Sequence, residues 1–136
     1  MPQVQKSDLE RSLVAGAYYF QIIFALGFAL GTVRTLALAP AVGETTAVLI
    51  ELPILLGAAW VVALRLIRRF KVPNEHRMTM GALAFTLLMI AEAMLSLFVF
   101  GRSLAQHAAH YRSVPGAVGL AGQLVFALIP ALHRRA

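Results

Sequence analysis

The chain has 136 residues, of which 60% are hydrophobic and 13% are charged, and its formal net charge is +6. A soluble domain carries about 25% charged residues, so a soluble fold of this composition would expose large apolar patches. The chain has no cysteine, which excludes disulfides and thiolate chemistry. Its basic residues lie between apolar blocks instead of along one polar face, so nucleic acid is not an expected partner.

Four apolar segments approach the length of about 20 residues that a helix needs to cross a bilayer. They cover about residues 13–35, 47–67, 78–100 and 116–132. The first segment could be a cleaved signal peptide, but its apolar stretch exceeds a signal core and Arg34 interrupts it, so we predict a retained span. The sequence SDLE, from Ser7 to Glu10, fits a capping box and predicts that the first helix begins there.

These segments define the predicted fold. Helices in lipid must satisfy their own backbone hydrogen bonds, so four spans predict a single-domain, all-α integral membrane protein with an antiparallel four-helix bundle. Of the 12 lysine and arginine residues, nine fall on one side of this topology and three on the other. The positive-inside rule then predicts a multi-pass protein of the bacterial inner membrane with both termini in the cytoplasm.

The loop at residues 68–77 is the strongest basic cluster. Basic residues near an anionic membrane surface each contribute about 1 kcal/mol of attraction, so this loop is expected to meet anionic lipid headgroups. It could also act only as a topology anchor. The residues predicted to contact headgroups are Arg68, Arg69, Lys71 and Arg77.

Ionisable and amide side chains recur near the outer end of the predicted spans. With a rise of about 1.5 Å per residue, Glu51 lies roughly 6 to 8 Å, Gln123 roughly 10 Å and Glu92 roughly 12 Å below the periplasmic surface. A charge at the bilayer centre costs about 2.5 to 3.5 kcal/mol, so it needs a partner, a proton or a wet cavity. The predicted buried polar network consists of Arg34, Glu44, Glu51, Glu92, Arg102 and Gln123.

Two interpretations of this network remain open. The residues could line a protonatable or solute-contacting pocket that opens toward the periplasm, with Glu92 as its deepest acid. Alternatively, Arg34 and Arg102 could compensate Glu51 and Glu92 in an ion-paired girdle that only fixes helix register. A wet polar layer would favour the first interpretation and a dry one the second.

Other sites receive little support from the sequence. His107 and His110 are three residues apart and are weak metal-ligand candidates without a firm third ligand, so no metal site is predicted. No histidine lies inside a predicted span, where a membrane cytochrome would need one, and no phosphate-binding loop or nucleophile elbow occurs. We therefore predict neither an enzyme nor a cofactor.

The small-residue patterns around Gly27 and Gly31, and again around Gly116, Gly119 and Gly122, are typical of close helix packing. They could act within one bundle, which we favour, or between copies of the chain. A membrane protein partner or a homo-oligomer is therefore possible.

The combination LGTVR, GE, ELP and FGRS resembles small four-span bacterial inner-membrane proteins of unassigned function. This resemblance implies a membrane location but no substrate. The function expected from the sequence is non-catalytic, as an accessory, assembly or scaffold component with a polar girdle in the periplasmic half. The alternative is a small oligomeric proton- or cation-coupled transporter or channel that uses Glu92 and Glu51.

Overall fold

The computed structural model describes residues 2–133, with side chains from residue 8 onward. This part of the chain is helical throughout and contains no strand. A 3-10 turn, Asn74–His76, precedes α4, and two π-helical segments occur at Arg34–Leu38 and Leu95–Val99. The α-helices are α1 (Pro2–Val33), α2 (Ala39–Val42), α3 (Glu44–Phe70), α4 (Arg77–Met94), α5 (Leu104–His110) and α6 (Val114–Leu132).

Four helical stretches in the described residues are long and apolar enough to cross a membrane, as predicted. They are Asp8–Val42, Glu44–Phe70, Asn74–Val99 and Val114–Leu132. Their outward faces remain apolar, since Leu36 is 76% exposed and Phe98 is 74% exposed. Such faces suit contact with lipid and support the assignment of a multi-pass membrane protein.

The predicted start of the first helix is wrong. The backbone is already helical from Pro2, so Ser7 lies inside α1 and not at its start. Residues 3–6 contain neither glycine nor a further proline that would stop the helix, and proline itself is tolerated in a first turn.

Both π-helical segments continue a membrane-crossing helix. Arg34–Leu38 joins α1 to α2, and the helix ends only at Gly43, whose positive φ of 89° breaks the chain before α3. Leu95–Val99 continues α4 to the turn at Gly101. Isolated π-helical turns occur frequently at functional sites because the wider turn redirects side chains.

The four long helices pack so that α1 contacts α3 and α4, and α6 contacts the same two helices. The hydrophobic cluster between them includes Tyr19, whose hydroxyl donates a 2.7 Å hydrogen bond to the carbonyl oxygen of Phe126. The two rings stack with centroids 4.3 Å apart. This buried bond satisfies a polar group that would otherwise destabilise the core, and it ties α1 to α6.

Glycines allow the closest approaches between these helices. A Cβ atom at Gly16 would lie 2.8 Å from the carbonyl oxygen of Met80, and one at Gly122 would lie 2.5 Å from Leu52. A Cβ atom at Gly81 would overlap the carbonyl of Ala127. Close packing within the chain therefore uses glycines on α1, α4 and α6.

Candidate functional site

A cavity of about 800 Å³ opens at one end of the long helices, which we call the cavity end. Its wall is formed where α1 and α4 pass into their π-helical segments and where α3 and α6 begin. A volume of several hundred Å³ is typical of small-molecule sites. All six residues of the predicted polar network line this cavity: Arg34, Glu44, Glu51, Glu92, Arg102 and Gln123.

One predicted ion pair is present in the cavity wall. The Nε atom of Arg34 lies 2.5 Å from Oε2 of Glu51, and the two side chains are 27% and 14% exposed. Arg34 is the first residue of its π-helical segment and Glu51 lies two turns into α3. The pair therefore joins the first and second membrane-crossing helices at the cavity.

Glu92 has neutral partners instead of an arginine. The amide of Gln123 donates a 2.5 Å hydrogen bond to Oε1, and the hydroxyl of Tyr111 donates a longer one, 3.4 Å, to Oε2. Within the described side chains, no lysine or arginine lies within ion-pair distance of this carboxylate. Glu92 thus has two donors and no compensating positive charge.

The other half of the predicted girdle differs from expectation. Arg102 does not pair with Glu92; its guanidinium lies 5.7 Å from the centre of the Phe100 ring and is exposed. The turn at Gly101 follows the π-helical segment, so Arg102 points away from the position that a regular helix would give it. Glu44 is exposed at the mouth of the cavity and makes no ion pair among the described residues.

The short helix α5 and the turn after it cover the cavity rim. Ser103 and Gln106 form a capping box at its start, which fixes the helix on the end of the π-helical segment. His107 lies with its Nε2 atom 3.5 Å from the Tyr111 hydroxyl. Burial, followed by the negative charge of Glu92 and the hydrogen bond to it, raises the pKa of Tyr111 to about 12. Tyr111 therefore stays protonated and donates to Glu92 at neutral pH.

His107 and His110 both line the cavity, on the same short helix. Among the side chains of residues 8–133, no group of three or more histidine or acidic residues is arranged to hold a metal ion. What these residues offer instead is a polar rim near Tyr111 and Glu92.

Sequence reasoning missed two acceptors without partners among the residues that line the cavity. Ser96 lies four residues after Glu92, in the π-helical segment, and its buried Oγ atom has no hydrogen-bond partner. The Oε1 atom of Gln123 is likewise buried and unpaired, although the nitrogen of the same amide binds Glu92. The spacing of Glu92 and Ser96, about one helical turn, was the only signal in the sequence that could have linked them.

The opposite end of the helices, which we call the loop end, contains a second polar cluster. Arg77 was predicted to face lipid headgroups, but it is only 6% exposed. Its Nε atom donates a 3.1 Å hydrogen bond to the carbonyl of Val72, and its Nη1 atom donates to the carbonyl of His133. The guanidinium therefore joins the end of α3, the start of α4 and the end of α6. Arg68, Arg69 and Lys71 remain exposed.

His133 completes the loop-end cluster. Its ring lies over that of Trp60 with centroids 3.9 Å apart, and its Nε2 atom is 3.0 Å from the Trp60 carbonyl oxygen. Burial lowers the pKa of His133, the positive charges of Arg77 and Arg68 lower it further, and the hydrogen bond to Trp60 partly opposes them. The ring is therefore neutral at pH 7.

No family model, curated protein or solved structure matches this chain. A function must therefore be argued from the cavity and its residues.

Proposed function

We propose that the chain is a small membrane transporter or channel in which Glu92 takes up a proton or a cation inside the cavity. The observation that carries this proposal is a large cavity that reaches a carboxylate without a positive partner. A carboxylate that served only helix packing would be expected to pair with an arginine and to exclude open space.

The charge balance of the cavity supports this proposal. Of the charged groups that line it, Glu44 and Arg102 are exposed to water, whereas Glu51, Glu92 and Arg34 are partly buried, which leaves one carboxylate in excess when His107 and His110 are counted as neutral. Arg34 is committed to Glu51. A negative charge in apolar surroundings attracts either a proton or a cation, because both remove the cost of leaving it unpaired.

The arrangement in the membrane is part of the proposal. The four long helices would form an antiparallel bundle in the bacterial inner membrane, with both termini in the cytoplasm and the cavity open to the periplasm. Arg68, Arg69 and Lys71 would then meet anionic headgroups at the cytoplasmic surface. Arg77 does not belong to that surface, since it is only 6% exposed and donates from Nε and Nη1 to carbonyl groups.

The proposal can be tested by charge displacement in proteoliposomes adsorbed on a solid-supported membrane. A step in external pH or sodium concentration should produce a transient current, because an ion that binds to Glu92 enters the membrane field. Glu92→Gln should abolish that current. Glu75→Gln removes an exposed carboxylate at the loop end and should leave it unchanged.

Circular dichroism and gel filtration would establish that both variants fold like the parent. A current that persists in folded Glu92→Gln, or the absence of any current from the parent protein after either step, would contradict the proposed function.

An accessory, assembly or scaffold component is the second candidate function. It is favoured by the pair between Arg34 and Glu51, which joins two membrane-crossing helices as a girdle would. In that case Glu92→Gln should change the stability of the protein in detergent but should leave the charge-displacement current unchanged. Copurification of a companion protein from native membranes would support this candidate.

A further inference from the structure

We infer that the cavity binds an amphiphilic primary amine, with its ammonium group at Glu92, Gln123 and Ser96 and its apolar body against the cavity wall. This inference rests on the proposed function, because it names the cation that the site takes. It follows from the charge, the hydrogen-bonding capacity and the wall of the cavity.

The charge of the site selects a cation. Glu92 has no arginine or lysine within ion-pair distance among the described side chains, and both of its oxygens already accept hydrogen bonds from neutral donors. An anionic ligand would add a second negative charge beside it, at a cost that grows in apolar surroundings. A positive ligand instead supplies the missing counter-charge.

The unmet acceptors select a cation that carries N–H groups. Ser96 Oγ and Gln123 Oε1 are buried without partners, and a buried polar atom without a partner destabilises the structure. Both belong to residues that line the cavity, but the two atoms themselves have almost no accessible surface, so each binds a ligand only after its side chain rotates toward the cavity. A primary ammonium has three donors, and Glu92, Ser96 and Gln123 together offer three acceptors. A quaternary ammonium carries the charge but satisfies none of these atoms.

The two acceptors are located close to Glu92. The amide nitrogen of Gln123 is 2.5 Å from Oε1 of Glu92, so the oxygen of the same amide lies beside the carboxylate. Ser96 is four residues further along the same helical stretch, which places it on the same side of the helix. One ammonium nitrogen can therefore donate hydrogen bonds to Glu92, Ser96 and Gln123 together.

The wall of the cavity selects an amphiphile. Apolar side chains from four helices line it, including Phe24, Leu55, Leu88 and Phe126. A cavity of about 800 Å³ exceeds what a bare metal ion or ammonium would fill, and sites of this size bind mostly apolar small molecules through a few polar groups. The ligand therefore carries an aryl or alkyl group beside its amine.

The test uses three probes of similar shape in isothermal titration with the detergent-solubilised protein, with empty micelles as the blank. They are 2-phenylethylammonium, its trimethylated quaternary analogue and the neutral 2-phenylethanol. We expect the primary amine to bind at least about tenfold more tightly than the quaternary analogue, because only the former donates hydrogen bonds to charged and buried acceptors. The alcohol should bind more weakly than either.

Three variants test whether the amine binds at Glu92 and Ser96. Glu92→Gln should weaken binding of the primary amine by at least about tenfold. Glu44→Gln is the matched control, since it removes the same charge from an exposed position on the same cavity, and it should change affinity by less than about threefold because water screens that charge. Ser96→Ala should weaken the primary amine severalfold and leave the quaternary analogue unchanged.

Equal affinity for the primary and quaternary probes would overturn the inference, as would equal losses from Glu92→Gln and Glu44→Gln. If no probe binds while Glu92→Gln still abolishes the charge displacement, the ligand class is wrong and the proposed function stands. If the amine binds at Glu92 while the displacement current is insensitive to that residue, the site is a binding site and the transport function is wrong.

Discussion

The loop end and the cavity end both use arginine, but the arginines have different partners. At the loop end, the Arg77 side chain is buried against two backbone carbonyls, and residues from α3, α4 and α6 close around it. At the cavity end, Arg34 binds a carboxylate that faces open space, and Arg102 has no acid partner among the described residues. Each end has a buried atom without a hydrogen-bond partner, Nδ1 of His76 at the loop end and Oγ of Ser96 at the cavity end, but of these two residues it is Ser96 that lines the cavity together with Glu92.

This difference separates two roles of buried polar residues. A group whose donors are all satisfied by backbone atoms fixes the ends of helices and has nothing left for a ligand. A group that lines a cavity beside unpaired acceptors, as Glu92 does beside Ser96, can bind one. An unmet hydrogen bond alone, such as that of His76, does not make a site; the cavity end differs because its unmet acceptor accompanies a carboxylate without a positive partner in a cavity.

Replacement of the buried arginine should produce the largest change in stability. Arg77→Met keeps most of the side-chain volume but leaves the carbonyls of Val72 and His133 without their donor. We expect a loss of about 2 to 4 kcal/mol, because two buried acceptors become unsatisfied. Thermal unfolding in detergent, followed by circular dichroism, measures it.

Arg68→Met provides the control, since it removes the same charge from an exposed position near the same end. Its effect should lie within about 0.5 kcal/mol, as for most surface substitutions. Similar losses in both variants would mean that charge, and not the two hydrogen bonds, stabilises the loop end.

The second prediction concerns water in the cavity. A Cβ atom added at Gly119, which lines the cavity, or at Gly57, which does not, would meet no atom within 4 Å, so cysteine fits at both positions. Because the chain has no cysteine, each variant carries a single thiol. In proteoliposomes, a charged thiol reagent should modify Gly119→Cys at least about tenfold faster than Gly57→Cys, equivalent to about 1.4 kcal/mol, since thiolates form in water and not in lipid.

Gly57 is the more exposed position, so exposure alone would predict the reverse order. Equal or faster modification of Gly57→Cys would mean that the cavity is dry or filled by lipid, and it would remove the distinction between the two ends.

Whether the sequence predicts the structure of these two ends depends on what determines the position of each residue. Helical rise fixes depth along a span, so Glu51, Glu92 and Gln123 could be assigned to one level before their positions were known. The four apolar helices followed from hydropathy for a similar reason, since bilayer thickness sets their length. Both kinds of prediction need only the linear order of residues.

The features that the sequence did not predict depend on the direction in which a side chain leaves its helix and on the conformation of the loops. The π-helical segments Arg34–Leu38 and Leu95–Val99 change the number of residues per turn, and the helix ends at Gly101 before Arg102, which makes no ion pair with Glu92. Arg77 is buried because the end of α6 returns to the start of α4, a contact between residues far apart in the chain. Neither apolar periodicity nor charge counting contains that information.

The third prediction tests whether the cavity-end ion pair stabilises the fold. Arg34→Ala should destabilise the protein by about 1 kcal/mol, between the values of exposed and fully buried pairs, because both side chains are partly exposed. Glu51→Gln should cost less, since it leaves no unpaired carboxylate. The double variant should be more stable than Arg34→Ala alone, and chemical unfolding of all four proteins would measure the coupling. Additive effects would contradict a direct pair.

The smallest expected effect is a pH dependence at the loop end. Because burial lowers the pKa of His133 below its ordinary value of 6.5, the unfolded chain binds the proton more readily than the folded one does. The stability contributed by the neutral ring is therefore fully present above pH 6.5 and is lost as the pH falls toward the lowered pKa.

His133→Leu should unfold with a smaller decrease in midpoint temperature between pH 7 and pH 5 than the parent protein. If His133→Leu keeps the full pH dependence, the titrating group lies elsewhere, and the histidines of the cavity rim would be the next residues to replace.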